Sequence, residues 1–345
     1  MSSRLQHIHQ LDSIRALAAF AVIFHHFLPE FNLGHFSYGS IGVDVFFAIS
    51  GYLITAVLLE QKSTIGNRLL IVRNFIIKRA LRLFPAYYLF ISFFFALMVV
   101  LGLYVWDHGN EIYFYTYTQN ILFFMDGMKG VQTNHLWTLA VEEQFYLIWP
   151  WIAIYFSNKN LMRILVVAVP ITLFFKSFSG IHDLKMLTVS HVDTLGGGAL
   201  IALLIKEKGN PVFAITNRAR ALLISFSLAV CAMTFFYELS PFFIHAAILV
   251  LSLTLVIGCY YSFGGVVGKV FNLSYLQYLG KISYGIYLYH KPIPYLLKLV
   301  LGKLQMEINE WALLSISLFL TVLIALLSYT FLERYFLRLK EKFDL

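Results

Sequence analysis

Apolar residues fall in blocks of about 16 to 24 positions, separated by short polar stretches, with no strict alternation inside a block. Blocks of that length suit helices that cross a hydrocarbon core about 30 Å thick. The missing alternation excludes a membrane β-barrel. A backbone in lipid must satisfy its own N–H and C=O groups, so the expected fold is all-α, a polytopic membrane helical bundle of about ten transmembrane helices. The spans are expected at about 13–28, 41–60, 83–105, 136–156, 163–180, 187–205, 219–237, 242–261, 278–300 and 311–333. The aromatic segment 112–125 is too short and too polar to cross and reads as an interfacial or re-entrant piece. No soluble domain, long linker, low-complexity tract or repeat interrupts this pattern, so residues 1–345 read as a single transmembrane domain. Residues 1–28 read as a retained first helix, since no small-x-small cleavage site follows and Pro29-Glu30 comes directly after.

Composition agrees with a membrane solvent. The chain is 59% hydrophobic and only 13% charged, less charge than a soluble domain carries. Its net charge of +8 would suggest nucleic acid in a soluble protein. In a membrane protein the better reading is that Lys and Arg collect in cytoplasmic loops, and no nucleic-acid partner is expected. The loop 61–82 holds Lys62, Arg68, Arg73, Lys78, Arg79 and Arg82; the loop 206–220 holds Lys206, Lys208, Arg218 and Arg220. Alternate loops are poor in cations, with none in 29–40 and only Lys129 in 106–135. Both termini and the basic loops are therefore expected in the cytoplasm. Cys231 and Cys259 fall at different expected depths, which speaks against a disulfide.

That topology sorts the ionisable residues by depth. Such groups inside a span are costly and default to a functional hypothesis. Arg15 and His26 lie in the first span, eleven positions apart. At about 100° per residue they share one face of a helix, and at 1.5 Å per residue they stand about 16 Å apart along it. The neighbouring His25 points about 80° away from the Arg15 direction. Asp44, Glu142, Glu143, Asp193 and His290 all fall in the outer half, while guanidinium groups line the inner mouth. A catalytic imidazole needs a partner to fix its tautomer, so carboxylates at the depth of His26 favour a functional reading over simple packing.

The other polar positions each carry a plain structural reading beside the chemical one. Adjacent acids Glu142 and Glu143 cannot face one partner, so one is expected to be functional and one to pair structurally. Arg79 and Arg82 are three apart and share a helix face, suited to bidentate phosphate contacts or to anchoring the helix at the interface. Gly42 and Gly51 read as close-packing positions. Gly196-Gly197-Gly198 follows Asp193 and would loosen its span enough to open a cavity. No metal-ligand spacing and no Gly-x-Ser-x-Gly elbow appears.

Taken together, five segments resemble the acyltransferase-3 family of integral membrane O-acyltransferases. They are Leu-Asp-Ser-Ile-Arg-Ala-Leu-Ala with its Arg–ten–His spacing, Gly-Val-Asp-Val-Phe-Phe-Ala-Ile-Ser-Gly-Tyr-Leu-Ile-Thr, and Phe-Ile-Ile-Lys-Arg-Ala-Leu-Arg-Leu-Phe-Pro-Ala. The last two are Leu-Trp-Thr-Leu-Ala-Val-Glu-Glu-Gln-Phe-Tyr-Leu-Ile-Trp-Pro and Ile-Ser-Tyr-Gly-Ile-Tyr-Leu-Tyr-His. They run in family order from residue 11 to residue 290, and the chain resembles the stand-alone form without an appended extracytoplasmic hydrolase-like domain. One departure is the second imidazole, His25.

The resemblance implies transfer of an acyl group, usually acetyl, from cytoplasmic acetyl-CoA or another acyl-CoA. The acceptor would be a hydroxyl of a lipopolysaccharide, exopolysaccharide or lipid-linked glycan, at the outer face of a bacterial cytoplasmic (inner) membrane. It implies His26 as the catalytic imidazole, assisted by Glu142 or Glu143. Arg15, Arg79 and Arg82 would bind the donor. Asp44, Trp137, Asp193 and His290 would hold substrate or support the site, with no metal. A direct transfer and an acyl-enzyme relay both remain open. The alternative from another class is a proton-coupled secondary transporter using the buried His and carboxylates. It leaves the aligned Arg and His of the first span unexplained. A non-catalytic scaffold in a glycan assembly complex would leave all the intramembrane charges unexplained.

Overall fold

The computed structural model describes residues 7–28, 38–103, 110–127, 132–178, 184–208, 217–234 and 236–343. Pro29-Glu30 with most of the 29–40 loop, Lys129 and both chain ends lie outside the described residues.

Among the described residues the chain is helical throughout: α1 (His9–Phe27), α2 (Tyr38–Thr64), α3 (Arg68–Val100), α4 (Glu111–Tyr115), α5 (Gln119–Asp126), α6 (Trp137–Tyr155), α7 (Asn158–Phe178), α8 (Val192–Lys208), α9 (Asn217–Met233), α10 (Pro241–Tyr260), α11 (Gly265–Phe271), α12 (Ser274–Lys281), α13 (Ser283–Tyr289), α14 (Pro292–Lys303), α15 (Glu310–Ser328) and α16 (Arg334–Leu339). Among the described residues, six helical stretches are long and apolar enough to cross a membrane: Gly39–Thr64, Arg68–Val100, Asn158–Phe178, Thr188–Glu207, Pro241–Tyr260 and Glu310–Phe343. Three further expected spans correspond to α1, α6 and α9, which are shorter or diluted by ionisable residues.

The expected span 278–300 is broken instead into α12, α13 and α14. Proline supplies no N–H, and Pro292 opens α14 directly after His290-Lys291. The twelve residues of α14 reach only about 18 Å, short of a hydrocarbon core.

The stretch expected as a basic loop, 61–82, is also mostly helical. Asn67 caps α3 by accepting from the Leu70 N–H at 3.0 Å, which starts the helix at Arg68. At 33 residues α3 is about 50 Å long, so its basic first turns extend beyond its apolar part. The aromatic segment 112–125 forms the two short helices α4 and α5, separated by Tyr117 at φ 52°.

The chain divides into two compact units. The first comprises residues 1–72 and 145–281, with Leu345; the second comprises 73–144 and 282–344. In the first unit α2 is packed by small residues on two sides. A Cβ at Gly51 would overlap the carbonyl of Leu195, and one at Gly198 would overlap that of Ala48. Of the triple glycine, Gly198 lets α2 and α8 touch backbone to backbone, while Gly196 packs against Leu165 and Val169 of α7 and Gly197 against Leu253 of α10, so neighbouring atoms fill the space where a cavity was expected. Gly42 does the same against Ala18 of α1. The core around these contacts includes Leu11, Ile14, Ala18, Val45, Ala48 and Tyr52.

The second unit is tied by polar side chains on backbone carbonyls. Tyr87 donates to Phe114 at 2.9 Å, Tyr284 to Leu83 at 2.9 Å, and Gln119 to Leu136 at 2.8 Å.

Candidate active site

In the first unit, α1 is one uninterrupted helix, so Arg15 and His26 do lie on one face of it. Its first turn is clamped. Ser13 donates to the Phe271 carbonyl at 2.6 Å, Gln10 donates to the Phe263 carbonyl at 3.1 Å, and a Cβ at Gly280 would overlap the Asp12 carbonyl. Arg15 is half-buried and faces Asp12, with Nη1 3.8 Å from Oδ1. At the other end the two histidines differ. His25 packs against Gly39 of α2, where an added Cβ would come within 2.6 Å of its ring. His26 is turned about 100° from it around the helix, and the two ring centroids are 5.2 Å apart. Both sit in the last turn, where the helix dipole favours positive charge.

The same unit holds a second polar centre across α2 from α1. Positions 44, 48 and 51 form the stripe of α2 that meets α8, and Asp44 is on it. Lys176, near the end of α7, puts Nζ 3.3 Å from Asp193 Oδ2 and 3.8 Å from Asp44 Oδ1. His191 Nδ1 lies 3.7 Å from Asp44 Oδ1, and Thr194 donates to Asp44 at 3.5 Å. All of these side chains are buried. His245 completes the surroundings through a 3.0 Å contact with Ser177. Asp44 and Asp193 thus come together, and they do so around a cation that sequence reasoning passed over. Lys176 was legible by the criterion that singled out Asp193, an ionisable residue inside an apolar block.

In the second unit, Arg79 and Arg82 share one face of α3, with the Arg79 guanidinium 5.4 Å from the Phe75 ring centroid. The adjacent acids diverge. Glu143 interacts electrostatically with Arg79 and with Tyr87, Tyr88, Tyr117 and Tyr284; Glu142 interacts with Tyr287. Successive residues of a helix point about 100° apart, which produces this split. Glu143 Oε1 and the Tyr117 hydroxyl are buried and make no hydrogen bond among the described residues. Arg82 interacts with Glu333, which accepts from Ser328 at 3.1 Å.

His290 is fully buried, its Nδ1 2.7 Å from the Tyr287 carbonyl and its ring 4.8 Å from that of His135. His135 in turn lies 3.2 Å from the Leu288 carbonyl. Lys291 donates to Asn134. Trp137 opens α6 directly after the 3-10 turn Asn134–Leu136. His290 is therefore part of a polar lock between the start of α6 and the α13–α14 break.

The chain's sequence matches the model of one protein family, described as an acyltransferase domain, over residues 8–330. The chain belongs to that acyltransferase family. Among curated proteins it is 31% identical over 360 residues to the peptidoglycan O-acetyltransferase OatA of Listeria monocytogenes serovar 1/2a (strain ATCC BAA-679 / EGD-e), covering 95% of this chain and 55% of that protein. It is 30% identical to the putative peptidoglycan O-acetyltransferase YrhL of Bacillus subtilis (strain 168), with the same coverage. A putative O-acetyltransferase of Staphylococcus aureus (strain COL) is 27% identical over 96% of this chain and 57% of its own length. The chain thus spans just over half the length of these relatives. No solved structure matches it. With its long apolar helices, this family member is a multi-pass membrane protein.

Proposed function

We propose that the chain transfers an acetyl group from cytoplasmic acetyl-CoA to a carbohydrate hydroxyl at the outer face of a bacterial inner membrane. Both termini would be cytoplasmic, where Lys and Arg concentrate. Peptidoglycan is the favoured acceptor class, because the relatives' names specify it. In the reaction the thioester C–S bond breaks and an ester C–O bond forms. The hydroxyl proton passes to His26 and then to the departing coenzyme A sulfur. Arg79 and Arg82, with their planar forks, are assigned to the donor phosphates, and Arg15 is assigned a donor-binding role on α1. Of the two acids, Glu143 is assigned the assisting role, since its Oε1 accepts no hydrogen bond within the described structure. Glu142, Trp137, Asp44, Asp193 and His290 take supporting roles.

The observation that carries this reading is the uninterrupted α1 helix with Arg15 and His26 on one stripe, in a chain of acyltransferase ancestry. A proton-coupled transporter would instead work through the buried Lys176, Asp44 and Asp193. Purified protein in lipid vesicles separates the two. Acetyl-CoA consumption that depends on a glycan acceptor and on His26 supports transfer. Proton flux without thioester cleavage, lost on changing Lys176, overturns it.

A further inference from the structure

His7, His9 and Asp12 meet at the start of α1, at the end far from His26. Ile8 precedes the helix with φ −87° and ψ 90°, and this non-helical step brings His7 back over the first turn. Each of the three residues offers one ligand atom, and the three atoms lie within 4.8 Å of one another. We propose that they bind a divalent d-block cation of the zinc class, which two imidazoles and a carboxylate suit by donor type.

The carboxylate supplies the strongest argument. Asp12 is 4% exposed, and its Oδ2 accepts no hydrogen bond among the described residues. Yet His7 Nε2 stands 3.2 Å from that same oxygen. Two ligands held at about 2.0–2.1 Å by a tetrahedral ion are about 3.3 Å apart. The pair is therefore spaced as ligands and oriented poorly for a hydrogen bond.

The supporting shell is rigid. Ser13 and Gln10, on either side of Asp12 in sequence, are bonded to the 263–271 segment, and α12 presses on the Asp12 carbonyl. Asp12 Oδ1 faces Arg15, which leaves Oδ2 for a cation. The imidazoles are exposed and adjustable, with their Nδ1 atoms 3.2 Å apart and ring centroids at 4.6 Å. The bound ion would tie the His7–Ile8 approach to the first turn of α1.

The test uses the full chain, purified with a histidine-free tag, stripped with chelator and titrated with zinc(II) and cobalt(II). One equivalent should bind saturably, and cobalt should give the intense visible absorption of a tetrahedral site. His7→Ala and His9→Ala should each weaken binding at least about tenfold. His25→Ala serves as the control for the other histidines and should leave affinity unchanged. Both variants alter exposed side chains, so helix content by circular dichroism should be retained. Absence of saturable binding, or equal affinity in the His7→Ala/His9→Ala double variant, overturns the proposal. So does a shift in unfolding temperature in His7→Ala with zinc affinity intact, which would mark an ordinary His–Asp ion pair.

Discussion

Two buried acidic centres, one in each unit, are built on opposite plans. Around Asp44 and Asp193 the charge is answered at once by Lys176, with His191 and Thr194 at the remaining contacts. Around Glu143 the neighbours include tyrosines, the like charge of Glu142 and the cation Arg79 act on it electrostatically, and one carboxylate oxygen accepts no hydrogen bond in the described structure. The first plan is a closed ionic knot joining α2, α7 and α8. The second leaves a carboxylate with unused bonding capacity, which costs stability and is kept where a group must act on something else. Removing a member of each centre should therefore produce opposite results.

Glu143→Gln retains size and removes the charge. Acetyl transfer should fall by about 10²- to 10⁴-fold, the range for loss of a general acid–base group. The unfolding temperature should stay level or rise. A variant that unfolds early would place Glu143 in a structural role and erase the contrast.

Lys176→Met leaves two carboxylates facing each other in the interior. The expected loss is about 3–5 kcal/mol of stability, read from thermal unfolding in detergent. Adding Asp193→Asn to that variant should restore part of it, since one unpaired charge is removed. If Lys176→Met folds with wild-type stability and only transfer is lost, the knot belongs to the chemistry.

Gly198→Ala sharpens the account of the first unit. The added methyl would overlap the Ala48 carbonyl, so α2 and α8 must separate. A destabilisation of about 1–3 kcal/mol is expected, with coenzyme A affinity unchanged. Wild-type stability would show that the two backbones are not in contact.

Arg82→Lys should have the smallest effect. It keeps the charge and loses the planar fork, so donor affinity should drop by roughly tenfold while expression and insertion survive. Unchanged coenzyme A binding would reduce Arg82 to an anchor.

Much of this arrangement is written in local pattern. Apolar blocks locate most of the long helices, and the eleven-residue step from Arg15 to His26 puts them on one face because nothing breaks α1. The divergence of Glu142 and Glu143 also follows from helix geometry. What local pattern misses depends on tertiary pairing. The triple glycine looks like a weak point in isolation and becomes a contact surface only because α2 presents Ala48 to Gly198 while α7 and α10 pack side chains on Gly196 and Gly197. Lys176 sits near a helix end, where a lysine ordinarily reaches for the interface, and only the fold turns it toward two carboxylates. The break between α13 and α14 is hard to see in hydropathy because both short helices are mostly apolar; His290-Lys291 followed by Pro292 is its local sign.

The central claim is that the stripe of α1 carrying Arg15 ends in the reacting imidazole. Alanine substitution of His26 and of His25, with expression and coenzyme A binding checked for both, tests it directly. His26→Ala should abolish acetyl transfer while coenzyme A still binds, and His25→Ala should remain active, since its ring is occupied in packing against Gly39. A well-expressed, fully active His26→Ala protein would contradict the account.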